Sequence, residues 1–245
     1  MGLVKIRWVA AVACLWLVGG CAWAGDDWRD RNPEHQPGYA AYRTADAHRV
    51  RGAADVSAFA LVSGADVVRV RVVDLGADRF EVSTPDGAKV APAVSVHGSE
   101  VVTALRGTGE AGPAVVEVLL SSSVRWRVRL AGGAADEAVD LGGGPGGDVD
   151  FSAGTARASV LLPVGRGTQH VVLGGGASQL VVRLSGNAPA RVAAIGGAGS
   201  VTVDGDTHSG VAGGSVWTPS GWSSAADRYD IDATSGVSVL TVERT

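Results

Sequence analysis

The stretch VVLGGGASQLVVRLSG, Val171 to Gly186, carries two short apolar pairs, Val171/Leu173 and Val182/Leu184, each followed by a corner of small residues. On a β-strand, residues i and i+2 face the same side, so each pair buries one face while the residue between them points outward. The corners, GGG at 174–176 and SGN at 185–187, allow the chain to reverse where a side chain would obstruct it. Val171 and Val182 thus mark the same point in two successive units.

The same unit recurs on both sides of this stretch. The inward pairs are Val128/Leu130, Val139/Leu141, Val149/Phe151, Val160/Leu162, Val171/Leu173, Val182/Leu184 and Ala193/Ile195, with successive spacings of 11, 10, 11, 11, 11 and 11. Val201/Val203 closes the series at a shorter spacing of 8. So fixed a period is the mark of stacked units. Two strands per turn predict coils of about 21 or 22 residues, laid on one another at ~4.8 Å. Two outward ladders follow: Arg129, Asp150, Val172, Ala194, and Asp140, Leu161, Arg183, Thr202, with Arg129 over Asp150 as a surface ion pair. The expected fold is therefore all-β, a β-solenoid over 124–205. An antiparallel β-sandwich, which also spaces its strands regularly, is the alternative. The constant unit length and the expected lack of hairpin signals such as Asn-Gly favour the solenoid.

Upstream, residues 46–123 read as further strands. Val68–Val72 and Val124–Leu130 alternate strictly, and Arg79–Val82, Ala93–His97, Glu100–Leu105 and Val115–Leu120 are shorter candidates. Thr84-Pro85-Asp86-Gly87 is a turn in which Pro presets φ and Gly accepts a positive one. Downstream, Asp206–Asp227 breaks the period and holds Trp217-Thr218-Pro219-Ser220-Gly221-Trp222. Within 206–245 this is a candidate cap for the exposed end of a stack, before final strands at Tyr229–Asp232 and Val237–Val242.

The first 24 residues are a different segment. Lys5 and Arg7 precede an apolar run from Trp8 to Val18, the pattern of a secretory leader and short for a membrane span. Val18-Gly19-Gly20-Cys21 resembles a bacterial lipobox, which makes Cys21 the lipidation site and the membrane a partner through a lipid anchor. Ala22-Trp23-Ala24 offers the alternative cut, releasing a soluble secreted protein. Residues 25–45, polar and holding Pro33 and Pro37, read as a flexible tether to the domain at 46–245. Both cysteines, Cys14 and Cys21, lie in the leader region, so the domain has no internal disulfide. Losing Lys5 and Arg7 leaves 19 basic against 25 acidic residues, a net charge of −6 that argues against nucleic acid as a partner.

The valine-leucine pairs and glycine corners, together with DVDFSAGTARASVLLP (148–163), VVLGGGASQLVVRLSG (171–186) and VTVDG (201–205), resemble the putative-adhesin β-strand repeat family of the DUF4097 type. The resemblance spans roughly residues 48 to 245. It implies a β-helix-like domain outside the cytoplasm, secreted or lipid-anchored, and brings no catalytic residues with it.

Catalytic sets are missing from the residues themselves. There is no G-x-S-x-G, no P-loop ending, no cysteine in the mature domain beyond Cys21, and no metal-ligand spacing among the five histidines. No cofactor is expected. Gly143–Asp148, GGPGGD, matches six positions of the calcium nonapeptide, but only once and inside a period of 11. Asp148, Asp150, Asp204 and Asp206 are therefore weak metal candidates and better read as solvated loop and strand carboxylates. Trp217 and Trp222 are candidate contacts for an envelope glycan or a surface protein, set against a capping role over the end of the stack. The expected function is a non-catalytic cell-envelope lipoprotein with a binding or adhesion surface. The alternative is a secreted polysaccharide-active enzyme that uses surface carboxylates such as Asp140, Asp148 and Asp150.

Overall fold

The computed structural model describes residues 42–46 and 48–245. The expected leader, Cys21 and most of the expected tether lie outside the described residues. The chain begins with β1 (Tyr42–Asp46), β2 (Arg49–Gly52), β3 (Ala58–Leu61), β4 (Ala65–Val73) and β5 (Phe80–Ser83). Next come β6 (Val90–His97), β7 (Glu100–Gly107) and β8 (Val115–Ser121). The periodic middle consists of β9 (Trp126–Leu130), β10 (Ala134–Asp140), β11 (Gly147–Phe151), β12 (Thr155–Leu162), β13 (Thr168–Leu173) and β14 (Ala177–Leu184). It is followed by β15 (Ala190–Ala194), β16 (Ala198–Val203), β17 (Asp206–Val211) and β18 (Ser215–Trp217). A single 3-10 turn, Trp222–Ser224, precedes β19 (Arg228–Ala233) and β20 (Val237–Arg244). Strand β1 lies across the expected tether boundary at 45/46, paired antiparallel with β2. Among the described residues no helix is long and apolar enough to cross a membrane.

The architecture is all-β: two mixed sheets, of 11 and 9 strands, that do not close into a barrel. The larger has the parallel run β8-β4-β10-β12-β14-β20-β16, and the smaller has β7-β3-β9-β11-β13-β19-β15. Successive strands of these parallel runs therefore alternate between the sheets. From β9 to β12, each strand pairs with the next but one along the chain. Val139 stands beside Val160 and Val160 beside Val182, as Val128 does beside Val149 and Val149 beside Val171. The antiparallel strands β5, β2, β1, β6, β17 and β18 finish the edges.

The core lies between the sheets and is made of the predicted pairs. Val128, Leu130, Val149, Phe151, Val171 and Leu173 come from one sheet, and Val139, Leu141, Val160, Leu162, Val182 and Leu184 from the other; all are buried. Each contributes about 1.5–3 kcal/mol relative to exposure. Strand pairs β9/β10, β11/β12 and β13/β14 are each joined by three residues, and these corners stack backbone on backbone. At Gly132 a Cβ would meet the Ser63 carbonyl carbon at 2.0 Å, and at Gly175 that of Ala153 at 2.1 Å. Close approach, not φ, therefore requires glycine at 132 and 175, whereas the corner between β11 and β12 has Ala153 in the middle.

Four expectations need correction. The inward pair on β15 is Val192/Ala194, not Ala193/Ile195, and Ile195 is 45% exposed in the corner. Register explains the shift: Val192 and Ala194 stand beside Ile231 and Ala233 of β19. Second, the stack does not follow chain order at its C-terminal end, because β19/β20 is inserted between β13/β14 and β15/β16. Val172 therefore neighbours Asp232 instead of Ala194, and Arg183 neighbours Glu243 instead of Thr202. Third, a hairpin signal is present: Asp204-Gly205 turns β16 into β17 with φ of 48° and 94°, as a two-residue hairpin turn demands. Fourth, Arg129 does stand beside Asp150 in register, but its guanidinium lies 3.9 Å from the Glu100 carboxylate.

Candidate functional site

At the end of the stack formed by β15 to β18, the connections leave a groove of about 680 Å³. Its lining includes Asn187, Asp204, Asp206, His208, Trp217 and Arg244. Three of these, Asp206, His208 and Trp217, come from the segment that breaks the period, and Asp204 stands just before it. The hairpin turn presents Asp204 and β17 presents Asp206 and His208, while Trp217 ends β18 opposite Val192 of β15. Arg244 arrives from the last strand, 40 residues after Asp204.

Two kinds of polar group line this groove. Arg244 makes four hydrogen bonds: Nε and Nη2 donate to the Asp204 carboxylate at 3.1 and 3.4 Å, and Nη1 donates to the carbonyls of Gly186 and Ala188 at 3.2 and 2.7 Å. This guanidinium is a strut that fixes the Asp204 turn, not a free cation. Asp206, Asn187 and His208 are exposed. Trp217 is half-buried against the core, with the His208 ring tilted against it at 5.2 Å between centroids. Trp126 and Trp222 donate their indole N–H groups to the carbonyls of Ser121 and Tyr229 at 2.9 and 2.8 Å. Among the described residues, the Trp217 indole N–H has no acceptor.

Trp222 is placed differently. It opens the 3-10 turn and is bonded to β19 through Tyr229, with the Arg228 and Arg191 guanidinium carbons 4.9 and 5.8 Å from its ring centroid. Arg191 in turn pairs with Asp230 and, at 2.9 Å, with Asp232. The two tryptophans of the WTPSGW segment thus have different roles: one is internal to a clamp and the other faces the groove.

Asp148 and Asp150 lie on the outward face of β11, flanking the buried Val149. The Asp148 carboxylate accepts the His170 backbone N–H at 3.1 Å and lies 3.5 Å from Arg125. Asp140 accepts the Gly142 N–H at 2.8 Å, so it braces its own corner. Among the described residues, no three His, Cys, Asp or Glu side chains gather as a metal-ligand set.

One buried acid escaped the sequence reading. Glu137 is 1% exposed, on the inner face of β10 between Val68 and Ala158. Burial pushes its carboxyl up to about 7, against a hydrogen bond from Thr155 that favours the charged form. Its Oε2 has no partner among the described residues. The signal was available, because Glu137 lies two residues before the inward Val139.

The fold that positions these groups is shared with a solved protein. The crystal structure of a "putative cell adhesion protein" from Clostridium sporogenes ATCC 15579 matches at a TM-score of 0.56 and 13% identity, over 79% of this chain and 94% of that one. A "putative adhesin" (BF0245) from Bacteroides fragilis NCTC 9343 aligns over 81% of this chain and 98% of that one at 9% identity, but its TM-score of 0.21 adds nothing to the fold assignment. No family model matches the sequence, and no curated protein matches it.

Proposed function

We propose that this chain is an extracytoplasmic adhesin-like binding protein of the DUF4097 type, anchored to the membrane by lipid on Cys21 and without catalytic activity. The likeness in fold to the Clostridium sporogenes protein, whose description names cell adhesion, carries this reading. The two-strand repeat is read as a β-solenoid whose coils leave chain order at the ends. Such a stack offers a long rigid surface on which to display binding groups. The lipobox-like VGGC and the polar segment after it supply the anchor and the spacing from the membrane.

Fractionation of cells expressing wild type and Cys21→Ser tests the anchor: the wild type is expected in the membrane fraction and the variant outside it. Retention of Cys21→Ser at the membrane overturns the lipid anchor. A pull-down of envelope glycans and proteins with the full chain tests the binding role, with a specific partner as the expected outcome. Turnover of an acidic glycan that is lost in Asp150→Ala overturns the non-catalytic reading.

A further inference from the structure

We infer that the groove at the C-terminal end of the stack is a binding site for a neutral, hydroxyl-rich sugar chain, with Trp217 as the platform on which a pyranose ring lies. This rests on the reading of the chain as a binding protein and adds the place and the ligand class.

Shape and size come first. A volume of about 680 Å³ lies within the range of small-ligand sites, roughly 300–1,000 Å³, and suits a short oligosaccharide. Trp217 then supplies what a sugar face needs, a flat apolar surface held in place, with the His208 ring packed 5.2 Å from it as part of the platform. Its backbone is paired with β15 and its ring is half-buried against the core, so little side-chain freedom remains to be lost on binding. Its indole N–H is the one among the three described tryptophans that no described residue accepts, so the ring offers both an apolar face and a donor.

The polar groups around it narrow the ligand. Asp206 accepts hydrogen bonds, while Asn187 donates and accepts, as paired hydroxyls require. Phosphate and uronate are disfavoured by charge. The one guanidinium in the groove is already paired with Asp204 and held by two carbonyls, which leaves the Asp206 carboxylate uncompensated. An anion entering beside Asp206 meets a like charge and finds no free arginine. A neutral glycan meets neither penalty.

The test is calorimetric titration of the full chain, purified in detergent, with maltotetraose, cellotetraose, chitotetraose and oligogalacturonate as probes. At least one neutral probe is expected to bind, and oligogalacturonate to bind more weakly. Trp217→Ala is expected to weaken that binding about tenfold or more, as loss of an aromatic anchor does. Asp206→Asn, at an exposed hairpin position, leaves the fold intact and weakens it several-fold. Trp222→Phe, outside the groove, leaves affinity unchanged and serves as the control. No neutral probe bound at about 10 mM, wild-type affinity in both Trp217→Ala and Asp206→Asn, or tighter binding of oligogalacturonate each overturns the inference. A membrane-anchored chain that captures a protein partner but no glycan sinks this inference alone. A chain that binds neither sinks the binding reading with it.

Discussion

The indole nitrogen of Trp222 donates to the carbonyl oxygen of Tyr229 at 2.8 Å, joining the 3-10 turn to the strand that is inserted into the stack. Trp222→Phe keeps most of the ring and is expected to cost about 1 kcal/mol for the lost hydrogen bond. Trp222→Ala also removes the ring beneath Arg228 and should cost about 2–3 kcal/mol, less than a fully buried tryptophan because Trp222 is half-exposed. Urea unfolding followed by far-UV circular dichroism measures both.

Arg191 selects the neighbour of β15. It reaches across to Asp230 and Asp232 of β19, and the Asp230 side chain is only 13% exposed. Arg191→Ala leaves Asp230 half-paired in a poorly solvated place and is expected to cost about 2 kcal/mol. Hydrogen exchange checks where that loss falls, with protection expected to drop in β15 and β19 before β11 and β12.

Glu137 makes stability depend on pH near neutrality. Its carboxyl in the fold is raised to about 7 from an ordinary 4.5, so the folded chain holds a proton that the unfolded chain releases between those values. Its contribution is fully present below about pH 4.5 and is lost as pH rises through about 7, a change of about 3 kcal/mol. Asp136, on the outer face next door, runs the other way. Burial pushes its carboxyl up, but Arg69 at 2.7 Å and Arg157 at 3.3 Å outweigh this and hold it below the ordinary value. Its contribution is present above the ordinary carboxylate value and lost as pH falls through its lowered one. Glu137→Leu is expected to stabilise the protein at pH 8 and to flatten the decline between pH 5 and 8, read from urea midpoints across that range.

Gly147 stands beside Trp126 at the start of β11, and a Cβ there would lie 1.8 Å from the Trp126 carbonyl oxygen. Gly147→Ala should cost about 3 kcal/mol as the two strands are forced apart. Gly154→Ala is the contrast: its nearest atom would be 3.6 Å away, and the change should stay within about 0.5 kcal/mol of wild type. Thermal unfolding of the two variants, run in parallel, measures the difference.

The GGPGGD stretch shows what local reading settles. Asp148 and Asp150 were legible as outward and Val149 and Phe151 as inward, because alternation along one strand needs no knowledge of its neighbours. The reading failed at β15, where Ala193 and Ile195 are the more apolar-looking pair but the partner strand sets the register one residue earlier. For the groove, Asp204, Asp206 and Trp217 could be singled out. Their convergence with Arg244 could not, since 40 residues of chain separate Arg244 from Asp204 and a contact at that distance leaves no periodic trace.

Alternation, corner composition and the period of 11 determined by themselves which residues of β9 to β14 face the core, where the chain turns there, and that β9 to β12 each pair with the next strand but one. Those choices are local, made by strand geometry and by the lack of room for a Cβ at stacked corners. The order of the coils at the C-terminal end, and the groove which that order creates, were decided only in the tertiary structure. Backbone ladder bonds are alike for any neighbouring strand, so a period cannot say which coil stacks on which. Side-chain matches across the ladder, such as Arg183 with Glu243 at 2.9 Å and Arg191 with Asp230, make the insertion of the last two strands specific.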